Sequence, residues 1–240
     1  GVLAAVGSSA MFHPQVAVEP ILNTRRTGKP LAAFFTPHAE KSLSLLAEKG
    51  IDYEADVYDG GLRPENSAPS PTLNIPMLED GALKLWESDL IVDYLLRTYP
   101  DTKPKGDMAA SPPLAPWLAR PEKHWQDMTV LATIATMASA IVNMRLIQPE
   151  GVTANSSPYM SRQKTRVERC LDWLETQVTA EGFAPGWFSI MDLAFICPVA
   201  FSEARGVMAW RGRPRLDSLF DRFASRPSLL ATPIKALRVE

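Results

Sequence analysis

Two predicted helices begin with side chains that could hold or polarise a small ligand. Thr36 follows the apolar run at residues 31–35 and stands just before a helical pattern, and Glu87 and Ser88 stand just before another. A hydroxyl at a helix start can cap the helix, and the exposed N–H groups and the helix dipole there favour an anion. Capping alone would account for both hydroxyls, so a role in ligand binding needs further support.

Other reactive side chains give weaker signals. His38 is a lone histidine near a helix start, where histidine is usually incidental. Cys170 and Cys197 fall on predicted C-terminal helices and are interpreted as buried, unreactive packing residues. Two cysteines in 240 residues are too few for a disulfide framework, which indicates a reducing, intracellular compartment.

The composition argues against several classes of function. Hydrophobic residues make up 46% and charged residues 22% of the chain, which is enough for a sizeable core and excludes wholesale disorder. The formal net charge is −2, so neither nucleic acid nor an anionic membrane is an expected partner. No run reaches the roughly 18 uninterrupted apolar residues of a membrane helix. The closest stretch, residues 129–144, is interrupted by Thr and Ser and predicts a buried bundle helix.

Residues 30–99 alternate strand and helix patterns. Residues 31–35 and 53–57 are typical of strands, and an apolar stripe between them predicts a helix that ends at Gly50. Residues 60–74 predict a loop or a poorly formed helix, and Asp80-Gly81 predicts a hairpin turn. A last helix ends before Pro100. This order predicts an α/β domain.

Beyond a proline-rich linker at residues 100–113, every periodic pattern is helical. Helices are predicted at 121–147, 158–180, 189–205 and 215–225, so residues 114–240 form an all-α domain. Ser189 and Asp192 have the spacing of a capping box, and Phe188 and Leu193 that of a hydrophobic staple. Residues 1–29 are interpreted as an N-terminal extension that is partly of artificial origin.

Five short motifs, in their order and spacing, resemble the cytosolic glutathione transferases. They are Ala-Glu-Lys-Gly at 47–50, Ile-Pro-Met-Leu-Glu-Asp-Gly at 75–81, Trp-Glu-Ser at 86–88, Phe-Ser-Ile-Met-Asp at 188–192 and Arg-Pro-Ser at 226–228. The resemblance covers residues 31–230. It implies a thioredoxin-like βαβ-ββα domain that binds glutathione, followed by a helical bundle domain that contributes the electrophile site. It also implies a cytoplasmic homodimer.

The resemblance assigns the glutathione site to particular positions. Pro76 matches the family's cis-proline, where Ile75 presents backbone groups to the cysteinyl part of glutathione. Glu87 and Ser88 match the γ-glutamyl site, where the carboxylate pairs with the ligand's ammonium group and the hydroxyl holds its carboxylate. The alternatives are an ordinary trans X–Pro bond, a solvated Glu87 and a Ser88 that only caps its helix.

Thr36 falls on the family's catalytic Ser or Cys position, counted back from Gly50. A free thiol has a pKa of about 8.5, and the thiolate is the nucleophile. A hydroxyl that donates a hydrogen bond to sulfur favours the thiolate, so the resemblance implies that Thr36 activates glutathione. The alternative is that Thr36 only caps the first helix, and His38 is a second candidate. Because position 36 is not cysteine, activities that need a mixed disulfide are not expected.

The glycyl end of glutathione and the electrophile are less well defined by the sequence. Asn74 stands where many members of the family have Lys or Gln, and it is expected to hydrogen-bond the ligand. The cation for the glycyl carboxylate is therefore sought among Lys41, Arg63 and Lys84. The candidates for the apolar electrophile cleft are Trp117, Trp125, Met128, Met137 and Trp210, with the alternative that these residues are core.

The sequence thus predicts a glutathione transferase that acts on a hydrophobic electrophile by substitution, addition or ether cleavage. Glutathione is the expected co-substrate, no metal is expected, and the expected role is detoxification. Two alternatives stay open: a non-catalytic binding or interaction protein on the same scaffold, and a glutathione-dependent isomerase or lyase.

Overall fold

The computed structural model describes residues 36–53, 70–100, 103–116 and 119–231. The strand predicted at 31–35 and nearly all of the one at 53–57 lie outside the described residues, as do Arg63, Trp117 and most of the predicted loop. The described part contains a two-stranded sheet with two helices, followed by a region of five further helices.

The first helix, α1 (Pro37–Glu48), forms because its apolar side chains are buried and both ends are capped. Nearly the whole helix is buried, including Leu43, Leu45 and Leu46. Gly50 ends the helix in the left-handed region at φ +60°, as predicted. A Cβ atom on Gly50 would lie 2.1 Å from the carbonyl oxygen of Lys103, so the close approach of the linker also requires glycine.

The predicted hairpin is confirmed. β1 (Met77–Asp80) pairs antiparallel with β2 (Leu83–Trp86), and Asp80 lies opposite Leu83 across a turn in which Gly81 has φ +61°. The second helix, α2 (Ser88–Thr98), follows directly. The hydroxyls of Tyr94 and Tyr99 each donate to Asp80 Oδ2 at 2.6 Å, which fixes the hairpin turn against α2.

All four helices predicted in the second half are present. They are α3 (His124–Ile147), α4 (Pro158–Gln177), α5 (Ile190–Arg205) and α6 (Pro214–Phe223). A short α7 (Pro227–Leu230), which the sequence patterns do not predict, follows. α5 is buried over most of its length and contacts α1, α3 and α6, so it is the central helix of the core.

One face of α3 is buried and the other is exposed. The segment Pro121–Glu150 is long and apolar enough to cross a membrane by length and composition. However, Val130, Ile134 and Ile141 are part of the core, which makes α3 a core helix of the bundle. Trp125, with 78% of its surface exposed, lies on the outer face. The prediction of a buried helix is therefore right for the inner face and wrong for the outer face.

The predicted capping box at the start of α5 is confirmed. Ser189 Oγ accepts a hydrogen bond from the Asp192 N–H at 3.2 Å, and Asp192 Oδ2 accepts from the Ser189 N–H at 2.7 Å. Asp192 Oδ1 also accepts from the Phe183 N–H at 2.9 Å. Burial raises the pKa of Asp192 to about 6, although these hydrogen bonds act in the opposite direction. The carboxylate therefore holds the preceding loop as well as the helix start.

A buried ion pair connects the end of α1 to the segment before α7. Glu48 accepts hydrogen bonds from Arg226 Nε at 2.5 Å and Nη2 at 2.9 Å, and from Ser228 Oγ at 2.5 Å. Arg226 Nη1 also donates to the Pro112 carbonyl at 2.8 Å. The Arg226 guanidinium carbon lies 4.1 Å from the centre of the Phe188 ring, a cation–π distance. One arginine thus links α1, the linker and the segment before α5.

Candidate active site

The start of α1 is capped by Thr36. Thr36 has extended backbone angles, and its Oγ1 accepts a hydrogen bond from the Ala39 N–H at 3.2 Å. The predicted capping role is therefore confirmed. This bond uses a lone pair of the hydroxyl oxygen, so the hydroxyl proton can still be donated to another group. Capping and activation of a thiol are compatible in the half-buried Thr36 side chain.

The start of α2 lacks a side-chain cap. Glu87 occupies the N-cap position, and its side chain accepts no hydrogen bond from the first N–H groups of the helix. Ser88 is the first residue of the helix and is buried, so the alternative that Ser88 caps α2 is wrong. Glu87 is exposed and has φ +71°, a conformation that typically costs about 1–3 kcal/mol outside glycine and is concentrated at functional sites. The uncapped N–H groups beside Ser88 are suited to an anion.

His38 brings the two helix starts together. Its Nδ1 lies 3.3 Å from Ser88 Oγ, so the first turn of α1 contacts the first residue of α2. Burial, reinforced by Lys41, lowers the pKa of His38 to about 4, and the imidazole is neutral near pH 7. The contact places His38 next to a predicted ligand-binding hydroxyl, where it can orient the Ser88 side chain.

The segment before β1 also reaches the start of α2. The Ile75–Pro76 peptide bond is cis, as predicted, and Pro76 is buried directly before β1. The Asn74 side-chain amide donates to Glu87 Oε1 at 3.4 Å. The structure thus brings Asn74 to Glu87, and the Ile75–Pro76 bond follows it directly in the chain.

The described cations proposed for the glycyl carboxylate already have carboxylate partners. Lys41 is almost fully buried and pairs with Asp89 at the start of α2. Lys84 pairs with Glu79 at 2.7 Å on the exposed face of the hairpin. A ligand carboxylate would have to compete with these partners.

Glu40 is a buried carboxyl group on α1. Its Oε2 is shielded from solvent and has no hydrogen-bond partner among the described residues, and the whole residue is 3% exposed. Burial raises the pKa of Glu40 to about 9, so the side chain is a neutral carboxylic acid near pH 7. Glu40 helps to raise the pKa of Cys197 in α5, so this group lies near that helix, against which α1 packs.

The wild type is expected to lose stability as the pH rises from about 6.5 to 8.5, and Glu40→Gln is expected to reduce this loss. A group with a raised folded-state pKa stabilises the fold fully below its unfolded pKa and loses that contribution as the pH rises through the folded value. Each unit of pKa difference corresponds to about 1.4 kcal/mol, so the wild type should lose about 2 kcal/mol more than the variant. Urea unfolding at both pH values measures this.

Glu122→Gln, at an exposed position before α3, is the matched control and should follow the wild type. Equal pH dependence of the Glu40→Gln variant and the wild type would contradict the assignment of a neutral Glu40.

The candidates for the electrophile cleft separate into two groups. Met137 and Trp210 are fully buried in the core, so the prediction that they line a cleft is wrong for both. Trp125 and Met128 lie on the outer face of α3 and border a groove with Thr129, Thr133 and Cys170.

The two cysteines differ in exposure. Cys197 is buried in α5, and burial, reinforced by Glu40, raises its pKa well above the usual range. Cys170 is only half-buried, so its prediction as a buried residue is wrong. Burial still raises the pKa of Cys170, which lowers the thiolate fraction near pH 7.

Comparison with known proteins shows similarity to glutathione transferases. Residues 32–104 match the model of the glutathione S-transferase N-terminal domain. Glutathione S-transferase 3 of Zea mays is 26% identical over 218 residues, which covers 85% of this chain and 90% of that protein. The chain is therefore similar to glutathione transferases over most of its length. Glutathione S-transferase 4 of Zea mays is 40% identical over 68 residues, or 27% of this chain and 30% of that protein.

A solved structure supports the same fold over most of this chain. A glutathione S-transferase from Methylobacterium radiotolerans, in complex with glutathione sulfonate, superposes with a TM-score of 0.65 at 23% identity. The match covers 89% of this chain and 93% of that chain. The predicted fold class, a thioredoxin-like domain followed by an all-α domain, is confirmed.

Sequence reasoning missed three contacts that build the site. They are His38 with Ser88, Lys41 with Asp89, and Asn74 with Glu87. The two residues of each pair are 13 to 50 positions apart in the chain. The one signal that pointed to their proximity was the expectation that these segments bind the same ligand.

Proposed function

We propose that this protein binds glutathione where the starts of α1 and α2 meet and uses its thiolate to attack an electrophilic small molecule. The observation that carries the proposal is the contact between His38 and Ser88, which joins the hydroxyl-capped start of α1 to the uncapped start of α2. The glutathione derivative bound by the Methylobacterium radiotolerans relative supports glutathione as the ligand.

Each group of the site suits one part of glutathione. The N–H groups at the start of α2 and the Ser88 hydroxyl bind the γ-glutamyl carboxylate, because both offer donors to an anion. Glu87 pairs with the ammonium group, and the backbone of Ile75 aligns the cysteinyl part. The ligand is then positioned with its sulfur near Thr36.

The proposed reaction is a nucleophilic attack. Thr36 donates a hydrogen bond to the glutathione sulfur and thereby stabilises the thiolate over the thiol. In a substitution, the sulfur forms a bond to the electrophilic carbon while the bond to the leaving group breaks and that group departs with the electron pair. Addition and ether cleavage use the same thiolate. A cytoplasmic role in detoxification is consistent with this chemistry.

A non-catalytic binding protein is the second candidate. The observation that favours it is the cap at Ala39, which gives Thr36 a structural role without any chemistry. Turnover of chlorodinitrobenzene with glutathione separates the two functions, because a binding protein would show no rate above the uncatalysed reaction.

Ser88→Ala is expected to weaken glutathione binding about tenfold, because a hydrogen bond to a charged group contributes roughly 1.5–3 kcal/mol. Isothermal titration calorimetry with glutathione measures this. Ser161→Ala is the matched control, because Ser161 is an exposed serine on α4. A wild type that does not bind glutathione, or equal affinities for Ser88→Ala and Ser161→Ala, would contradict the proposed site.

We further propose that the protein is a homodimer that associates through the outer face of α3. The hydroxyls of Thr129, Thr133, Thr136 and Ser139 all donate to carbonyls one turn earlier in the helix, at 2.7–3.0 Å. Their donors are therefore satisfied, and the face presents methyl groups and small residues beside the exposed Trp125.

Trp125→Glu is expected to weaken dimerisation at least about tenfold, because it places a charge in an apolar interface. Sedimentation equilibrium at micromolar concentration measures the dissociation constant. Leu230→Glu, at another exposed apolar position on α7, should leave it unchanged. A wild type that is monomeric in this range would exclude the interface.

A further inference from the structure

Two arginines lie close together where α3 and α5 end. Arg145 is in the last turn of α3 and Arg205 is the last residue of α5. The ends of the two helices are in contact, since the Gln148 side chain reaches the Gly206 carbonyl at 3.5 Å. Burial and the charge of Arg145 both lower the pKa of Arg205, so the two guanidinium groups repel each other.

The Arg205 guanidinium has an unused donor. Its Nη1 is shielded from solvent and has no hydrogen-bond partner in the part of the chain that the structure describes. No ion pair to a carboxylate is found for Arg145 or Arg205 among the residues described. Glu40, the buried acid on the side of α1 that packs on α5, is neutral near pH 7 and supplies no countercharge. A buried donor beside a like charge is costly unless an acceptor arrives.

Helix dipoles account for only part of this arrangement. Basic side chains in the last turns of α3 and α5 complement the negative ends of both helices. This interaction with the helix dipoles would be the same if both side chains were fully solvated. It does not account for the buried Arg205 Nη1, nor for its position beside Arg145. The pair is therefore better explained by a bound anion.

The arginine pair lies toward the end of α5 that faces the start of α1. The other end of α1 is fixed near the start of α5, because Glu48 binds Arg226 and Arg226 stacks on Phe188. Further along, Glu40 is close enough to Cys197 to raise its pKa. The proximity of Glu48 to the start of α5 and of Glu40 to its middle indicates that α1 and α5 run antiparallel.

Helix geometry then indicates which part of α5 lies beside Thr36. The chain from Glu48 back to Thr36 spans about 18 Å at 1.5 Å per residue, and the same distance along α5 from Phe188 ends near residue 200. Cys197, Phe201 and Arg205 follow at intervals of four, which places them on one face of α5. The Arg205 guanidinium carbon lies 6.0 Å from the centre of the Phe201 ring. The Arg205 side chain therefore extends back along α5 toward the part that lies beside Thr36.

We propose that Arg145 and Arg205 bind a carboxylate or sulfonate group on the electrophile, so that the preferred substrates of this protein are anionic. The inference rests on the proposed function, because it assigns the anion to the molecule that the glutathione thiolate attacks. The bidentate geometry of guanidinium groups suits both acids. The two cations hold the anionic end while the reacting carbon faces the sulfur.

The test compares chlorodinitrobenzene with chlorodinitrobenzoate, which carries an added carboxylate. In both, the sulfur forms a bond to the ring carbon, the carbon–chlorine bond breaks, and chloride leaves with the electron pair. For each substrate, kcat/KM is divided by the rate constant of the uncatalysed reaction. This ratio is expected to be higher for the benzoate than for chlorodinitrobenzene in the wild type. Arg205→Gln and Arg145→Gln should each lower this preference about tenfold, since each removes a charge-assisted contact.

Arg169→Gln is the matched control, because Arg169 is an exposed arginine on α4. It should keep the wild-type preference. A wild type without preference for the benzoate, or a preference that survives both Arg205→Gln and Arg145→Gln, would overturn the inference.

Calorimetry with dinitrobenzoate, which has no leaving group, distinguishes failure of the inference from failure of the proposed function. If the wild type turns over neither substrate, the proposed function fails. Dinitrobenzoate binding that is weakened about tenfold by Arg205→Gln, but not by Arg169→Gln, would still support the anion site. Equal binding to the wild type and Arg205→Gln, or no binding to either, would overturn it.

Discussion

Replacement of Arg226 by leucine is expected to lower the free energy of unfolding by about 3–5 kcal/mol, the usual cost of removing one partner from a buried ion pair. Both Glu48 and Arg226 are almost completely shielded from solvent. Without Arg226, the hydrogen bond from Ser228 is the one that the Glu48 carboxylate keeps from the described residues, and the Pro112 carbonyl loses its donor. Urea unfolding followed by circular dichroism measures the change.

Arg97→Leu is the matched control, because Arg97 pairs with Asp93 at 2.8 Å on the exposed surface of α2. Exposed pairs usually contribute less than about 1 kcal/mol, so this variant should differ little from the wild type. The double variant Glu48→Leu with Arg226→Leu should be more stable than Arg226→Leu alone, because no unpaired charge stays buried. A loss as small as that of Arg97→Leu would show that the ion pair does not connect the two halves energetically.

The elements that the sequence predicted correctly depend on local signals. The hairpin follows from Asp80-Gly81, since a turn with φ above zero favours glycine. The capping box follows from Ser189 and Asp192, which are three residues apart. In both cases the residues that interact are neighbours in the chain, so a single sequence contains the whole signal.

Contacts between distant residues could not be predicted in this way. Glu48 and Arg226 are an unremarkable acid and base in the sequence, and only the packing of α1 against α7 and the segment before it brings them together. The same holds for His38 and Ser88. The resemblance to a family predicted that Ser88 contributes to a site, but not that a neutral histidine contacts it.

The outer face of α3 was misinterpreted for a different reason. Apolar and small residues occupy both faces, so the periodicity that separates a buried from an exposed face is weak. Thr129 and Thr133 look polar in the sequence, yet their hydroxyls are satisfied within the helix. A half-buried helix with an apolar outer face therefore has the same pattern as a fully buried one.

Thr36→Val is expected to lower kcat/KM for chlorodinitrobenzene about 100-fold, as is typical when one stabilising hydrogen-bond donor is removed. Valine keeps the shape of threonine but cannot donate to sulfur. The pKa of bound glutathione, measured from the ultraviolet absorbance of the thiolate, should then rise toward the value of about 8.5 for a free thiol. Thr36→Ser keeps the donor and should stay within about tenfold of the wild type.

The cap at Ala39 requires a separate control, because Thr36→Val also removes the acceptor for the Ala39 N–H and should cost about 1 kcal/mol of stability. Thr36→Asp restores the cap, since aspartate is among the best N-cap residues, but an ionised carboxylate cannot donate. This variant should therefore unfold like Thr36→Ser and turn over substrate as slowly as Thr36→Val. If Thr36→Val instead keeps both the turnover and the thiolate pKa of the wild type, the hydroxyl serves only to begin α1, and the thiolate must be stabilised by another group.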